Sequence, residues 1–149
     1  MNEFKEKLQR IEPIIRAKKA QYDQEVLRLK EIREEKQFAL KALEKEQKNY
    51  LNSVEILNKT RQSGDFSTLD SLEDGIEFVK AKWVDNLRVL RTTESREEAQ
   101  QGHVLVIQRQ LKSFEKLSEI YENGSNSIIE AKTQKELEEF ALQEFNRRQ

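Results

Sequence analysis

Apolar side chains recur every seven residues along the first 57 positions: Met1, Leu8, Ile15, Tyr22 and Leu29, then Leu43, Tyr50 and Leu57, with Lys36 the single polar member of the row. A seven-residue spacing keeps one stripe of an α-helix in line with itself over many turns, whereas a strand repeats every two residues. Phe4, Ile11, Ile32 and Ala39 form a companion row, and Val26, Leu40 and Val54 on the adjoining edge widen the stripe to a face. A helix with such a face buries it against another helix.

The pattern breaks convincingly once, at Arg61-Gln62-Ser63-Gly64-Asp65-Phe66-Ser67. Gly64 suits the left-handed conformation that ends a helix, and Ser67 suits the N-cap of the next. Asp70, Glu73 and Asp74 follow in the first turns of a second helix, and Lys59 and Arg61 close the first, each where the helix dipole favours its charge. A second heptad row then runs through Leu69, Ile76, Trp83 and Leu90, skips Glu97, and resumes at Val104 and Leu111. Its companions are Leu72, Val79, Ile107, Phe114 and Tyr121. The spacing predicts an all-α chain in one domain, with a helix over 3–62, a turn over 63–67 and a helix over 68–147. These helices are about 60 and 80 residues, roughly 90 and 120 Å at 1.5 Å per residue.

The two helices are expected to pair with each other as a long antiparallel coiled-coil hairpin. Reflection through residue 65 sets Leu57 near Leu72 and Ile76, Tyr50 near Val79, Leu43 near Leu87, and Leu8 near Tyr121. It also sends the polar stretch 30–37 onto 93–100, inside the polar stretch 91–103, a coincidence that a parallel homodimer would not require. Residues 1–62 carry 15 basic and 11 acidic side chains, and residues 63–149 carry 12 and 17, so the arms have opposite net charge. That difference sets orientation more than stability, because each exposed pair contributes little. The first helix runs out opposite about residue 129, which leaves a C-terminal helical overhang with Leu137, Phe140, Ala141 and Phe145 at helical spacing. Asn123-Gly124-Ser125-Asn126, just before it, is expected to weaken or kink the second helix.

Composition narrows the function. Charged residues make up 37% of the 149 and the apolar set 36%, with four Gly and one Pro, a balance that suits long helices and leaves no material for a sheet. A net charge of −1 gives no general pull toward nucleic acid or anionic lipid. The absence of cysteine fits a reducing compartment, and neither a signal-peptide pattern nor a spanning apolar run is visible. A cytoplasmic protein without direct membrane insertion is expected. The sole histidine, His103, has no nucleophile or second metal ligand beside it in sequence, and Glu34-Glu35 and Glu138-Glu139 point to different sides of a helix. The glycines are too scattered for a phosphate loop. No enzyme activity, cofactor or metal is expected, and Tyr50 and Trp83, both on heptad rows, read as core.

Two segments carry a family resemblance. The opening Phe4-x-x-x-Leu8-x-x-Ile11-Glu12-Pro13-Ile14-Ile15-Arg16-x-Lys18 resembles the start of the FliJ/YscO proteins of flagellar and injectisome type III export. Gln134-Lys135-Glu136-Leu137-Glu138-Glu139-Phe140-Ala141 is similar to their closing segment, with Glu138 where the family usually has Asp. Chain length, the two-helix plan and the position of the turn extend the likeness over nearly the whole chain.

This resemblance implies a monomeric, non-enzymatic central stalk at the inner-membrane export apparatus. Its paired termini would sit in the hexameric export ATPase, and its turn end would touch the cytoplasmic domain of the export gate, with export chaperones as further partners. The family's gate-facing surface maps onto Leu43, Tyr50, Leu72, Gly75 and Val79, although Glu46 stands where flagellar members tend to carry an aromatic and Val79 replaces a polar residue. Leu43 and Tyr50 lie on the intramolecular seam, so their first role is structural. The ATPase end would comprise Leu8, Ile11, Leu137, Phe140 and Phe145. Without the family, the same heptads suit a homodimeric coiled-coil scaffold, and the apolar overhang suits an ATP-independent holdase chaperone.

Overall fold

The structure, a computed structural model, describes residues 2–148. It contains two helices, α1 over Glu3–Ser63 and α2 over Leu69–Arg148, and no strand among the described residues. They pack against each other as an antiparallel hairpin, the all-α architecture that the heptads predict. The chain forms two compact units, each a pair of helical segments. One is Glu25–His103 and contains the turn; the other joins the residues up to Gln24 to those from Val104 onward.

The heptad rows are the seam. On α1, positions 8, 15, 22, 29, 36, 43, 50 and 57 are all buried or half-buried, and so are 4, 11, 18, 25, 32, 39, 46, 53 and 60. On α2 the same holds for 69, 76, 83, 90, 97, 104, 111, 118 and 125, and for 72, 79, 86, 93, 100, 107, 114 and 121. The companion rows therefore continue through polar residues, among them Glu25, Glu46, Asn86, Thr93 and Gln100. Val26, expected on the edge of the buried face, is instead 39% exposed, because it stands one place past the row occupied by Glu25.

In the turn-bearing unit the apolar core is Leu29, Ile32, Ala39, Leu57, Ile76 and Leu90, with Thr93 and Gln100 buried among them. Tyr50 stacks on Trp83 with ring centroids 5.8 Å apart. The polar stretches meet each other. Lys36 and Glu97, the charged members of their rows, pair at 3.4 Å, and Arg96 reaches Glu35 at 2.8 Å. Gln100 donates through Nε2 to the Glu25 carboxylate at 2.7 Å and to the Glu25 backbone carbonyl at 3.0 Å. The Thr93 hydroxyl donates to the Val89 carbonyl of its own helix at 2.8 Å. Among the described residues no buried side-chain nitrogen or oxygen lacks a partner, as a polar layer in a two-helix seam requires.

Gly64 has φ = 75°, the left-handed geometry at which α1 ends, and its amide donates to the Arg61 carbonyl at 3.3 Å. Asp65 Oδ1 accepts from the Ser67 amide at 3.1 Å and from the Ser67 hydroxyl at 2.7 Å. These two bonds hold the Asp65 carboxyl below its ordinary pKa, the hydroxyl bond contributing most. They also commit the Ser67 side chain to the turn, so Ser67 does not take the N-cap role expected of it. The Thr68 carbonyl accepts the Leu72 amide at 3.0 Å, which places Thr68 at the head of α2. Arg61 and Glu73 pair across the turn at 3.0 Å.

In the other unit Ile11, Ile107 and Leu111 are buried, Ile107 to 2% exposure. Asn2 caps α1: its Oδ1 accepts the Phe4 amide at 3.0 Å and its backbone carbonyl accepts the Glu6 amide at 3.2 Å. The same side chain donates through Nδ2 to the buried Ser125, at 3.0 Å to the hydroxyl and 3.3 Å to the carbonyl. Phe4 lies against Tyr121 at 6.4 Å and covers Gly124, where a Cβ would meet three ring carbons at 3.0 to 3.1 Å. α2 runs through Asn123–Asn126, the segment expected to weaken or kink it, as helix. The glycine there makes room for an aromatic ring. Pro13 also lies inside α1, on an exposed position, with the carbonyl it strips of a partner belonging to the exposed Gln9.

Candidate protein-interaction surfaces

Past Ser125, α2 has no helical segment against it. Every residue from 126 to 148 is exposed except the half-buried Glu144. Leu137 is 64% exposed, Phe140 62%, Leu142 64% and Phe145 61%. At about 100° per residue, Leu137, Phe140, Ala141 and Phe145 fall within an arc of roughly 140°, with Glu136 on one flank, Glu138 on the other and Lys132 and Lys135 behind. Glu144 and Arg148 fall inside the same arc and Leu142 lies opposite it, so these exposed apolar side chains stand among charged ones with nothing covering them. Soluble monomers rarely leave contiguous large apolar residues uncovered without an interaction to use them.

A second open surface lies in the turn-bearing unit. Ala39 and Ala42 on α1 face Thr92 and Thr93 on α2, and these small side chains leave a groove of about 720 Å³ between the helices. Phe38, 78% exposed, and Val89, 55% exposed, stand at its lips, and the Arg96–Glu35 pair lines it. On the outer side of Phe38 an adjoining hollow of about 480 Å³ is lined by Lys30, Arg33, Glu34, Gln37 and Lys41. Among the described residues Lys30, Arg33 and Lys41 have no carboxylate within ion-pair distance. The groove therefore has small and apolar side chains between the helices and a mixed charged margin, in which Glu34 stands among the three cations.

The residues proposed from sequence divide between seam and surface. Leu43, Tyr50, Leu72 and Val79 are half-buried in the heptad rows, and Gly75 is exposed with open space around it. Leu8 is half-buried and Ile11 is core at 5% exposure, while Leu137, Phe140 and Phe145 are open. Phe38 and Val89 escape a reading built on heptads because they sit one place before the seam residues Ala39 and Leu90. A signal was present. In an antiparallel pair, residues one place before a seam row on either helix project to the same side of the pair, and Ile56 and Phe78 share that position. His103 is half exposed, 3.8 Å from Glu25.

Among the described residues no three His, Asp or Glu side chains cluster so as to hold a metal ion. No helix there is long and apolar enough to cross a membrane. No family model matches the chain, and neither a curated protein nor a solved structure does.

Proposed function

We propose that this protein is a non-enzymatic stalk or adaptor of a type III protein export apparatus, working as a single chain at the cytoplasmic face of the inner membrane. It would link the hexameric export ATPase to the cytoplasmic domain of the export gate and present a surface to export chaperones. Three things support the reading: the opening segment Phe4–Lys18, the closing segment Gln134–Ala141, and the single turn at Gly64 that folds one helix back on the other. The observation that carries it is the uncovered apolar face of Leu137, Phe140 and Phe145, more than 60% exposed at each residue. Burying one such side chain contributes about 1.5–3 kcal/mol, so three together suffice to anchor a helix in a partner's groove.

The test is binding and ATP hydrolysis with the export ATPase from the same organism. The full chain is expected to co-sediment with the hexamer and raise its turnover, and Leu137→Ser with Phe140→Ser is expected to lose both effects while leaving the hairpin folded. A full chain that neither binds the ATPase nor changes its rate removes the proposal.

A further inference from the structure

We propose that the hollow between Lys7 and Leu117, with the apolar stripe that extends it, receives an acidic amphipathic helix from a partner protein. The hollow, of about 240 Å³, lies wholly within one compact unit. Its floor is Ile11, Phe114, Leu117 and Tyr121, and Ile14, Lys7 and Arg10 complete its lining, which includes no carboxylate. Ile14, Leu117 and Ile120 each stand one place before a seam residue and so project to the same side of the pair. Ile14 is 44% exposed and Ile120 53%, so the apolar surface continues past the hollow as an open stripe. From Lys7 to Ile14 the helix rises about 10 Å, enough for two turns of a third helix laid against the pair.

Charge selects the occupant. Over residues 3–17 of α1 and 109–122 of α2, the charged side chains within about 100° of Ile14 or Leu117 are Glu3, Glu6, Lys7, Arg10, Arg109 and Lys116. Lys5, Glu12, Arg16, Lys112, Glu115, Glu119 and Glu122 lie roughly 140–180° away, across their helices. Four cations therefore share this side with two carboxylates, and one of those, Glu3, already pairs with Lys7 at 3.4 Å. Among the described residues Arg10, Arg109 and Lys116 have no carboxylate within ion-pair distance. The Lys7 ammonium is held at the hollow by two rings, 5.7 Å from the centroid of Phe4 and 5.5 Å from that of Tyr121. A partner helix with bulky apolar residues for the stripe and Asp or Glu along its borders meets these cations, whereas a basic border meets repulsion.

This contact goes beyond the export reading and does not depend on it. The test uses the full chain and two dye-labelled helical peptides that share a leucine stripe, one bordered by glutamates and the other by lysines, with binding followed by fluorescence anisotropy. The glutamate peptide is expected to bind about tenfold more tightly than the lysine peptide, the equivalent of two exposed charge pairs, and to weaken as salt is raised. Ile14→Asp with Ile120→Asp is expected to abolish binding; both positions are exposed, and an unchanged circular-dichroism melt shows the hairpin intact. Arg10→Glu with Lys116→Glu leaves the stripe in place and changes no buried side chain, so it tests the assignment independently; it is expected to reverse the preference between the two peptides. No binding of the glutamate peptide, equal binding of both peptides, or binding that survives the two aspartates overturns the assignment. So does sedimentation of the chain alone as a dimer that Ile14→Asp with Ile120→Asp converts to a monomer, which gives the stripe to a second copy.

Discussion

Gly124→Ala separates two forces that act on most helical glycines in opposite directions. Alanine in the interior of a helix is favoured over glycine by about 1 kcal/mol, so a Gly→Ala change with free space stabilises. At Gly124 the added methyl would meet the Phe4 ring at 3.0 to 3.1 Å, closer than carbon atoms pack. The ring has little room to withdraw: the Phe4 amide is bonded to Asn2, whose side chain is bonded in turn to Ser125, and Tyr121 lies 6.4 Å away. Overpacking of this kind costs about 1–3 kcal/mol. The clash therefore exceeds the propensity gain, and Gly124→Ala is expected to destabilise by up to about 2 kcal/mol. Gly102→Ala, with nothing within 4 Å of the new methyl, is the control and is expected to stabilise by about 1 kcal/mol. In a Phe4→Ala background the obstruction is gone, and Gly124→Ala should then stabilise like the control. Urea unfolding followed by helical circular dichroism gives the four free energies of the cycle, and each kcal/mol also moves Tm by roughly 2–4 °C in a chain of this size. If Gly124→Ala stabilises the wild-type chain as much as Gly102→Ala does, the close packing of Phe4 on α2 is wrong.

Lys36→Leu combined with Glu97→Leu is expected to leave stability unchanged or raise it by about 1 kcal/mol, while either change alone lowers it, because each single change strands a partly buried charge; thermal unfolding of the three variants decides. Gly64→Ala should lower stability by about 1 kcal/mol, since α1 ends there at φ = 75°; the same melts measure it. Asp65 has a folded pKa below its unfolded value, so its contribution to the turn is complete at neutral pH and disappears only as pH falls through that depressed value. An NMR titration of the Asp65 carboxyl should show this, with the shift reduced by Ser67→Ala, which removes the hydroxyl bond and leaves the amide bond. Amides beyond about residue 129 should exchange with solvent orders of magnitude faster than those around Ile107, because an unpaired helix of some 20 residues is marginal in water; hydrogen-exchange mass spectrometry reads the boundary directly.

The fold was legible because its cause is periodic. Two seven-residue rows separated by one glycine-containing break specify two helices, one turn and an antiparallel seam, and the structure places Leu29, Leu57, Ile76 and Leu90 where those rows require. The rows faded where the seam is polar. The half-buried Glu25 and the buried Thr93 and Gln100 carry the same periodicity but are accommodated through hydrogen bonds, which an apolar pattern cannot report. At the turn Gly64 was read correctly and Ser67 was not, since Ser67 suits an N-cap and only geometry shows that its side chain bonds Asp65. Gly124 looked like a weakness because its ring partner is 120 residues distant in sequence. The groove at Phe38 was missed for a related reason: its depth comes from alanine and threonine on two different helices, and no local window contains both walls.

The bonds from Asn2 to Ser125 give the hairpin a mechanical asymmetry. The residue that caps α1 is tied sideways to α2, so a pull that separates residue 2 from residue 125 loads those two hydrogen bonds and the Phe4 ring first, one layer after another. A pull along the helix axes instead loads the whole seam at once and meets far greater resistance. A hairpin of this kind carries tension or twist applied along its length, yet peels apart under a small transverse force at its open end.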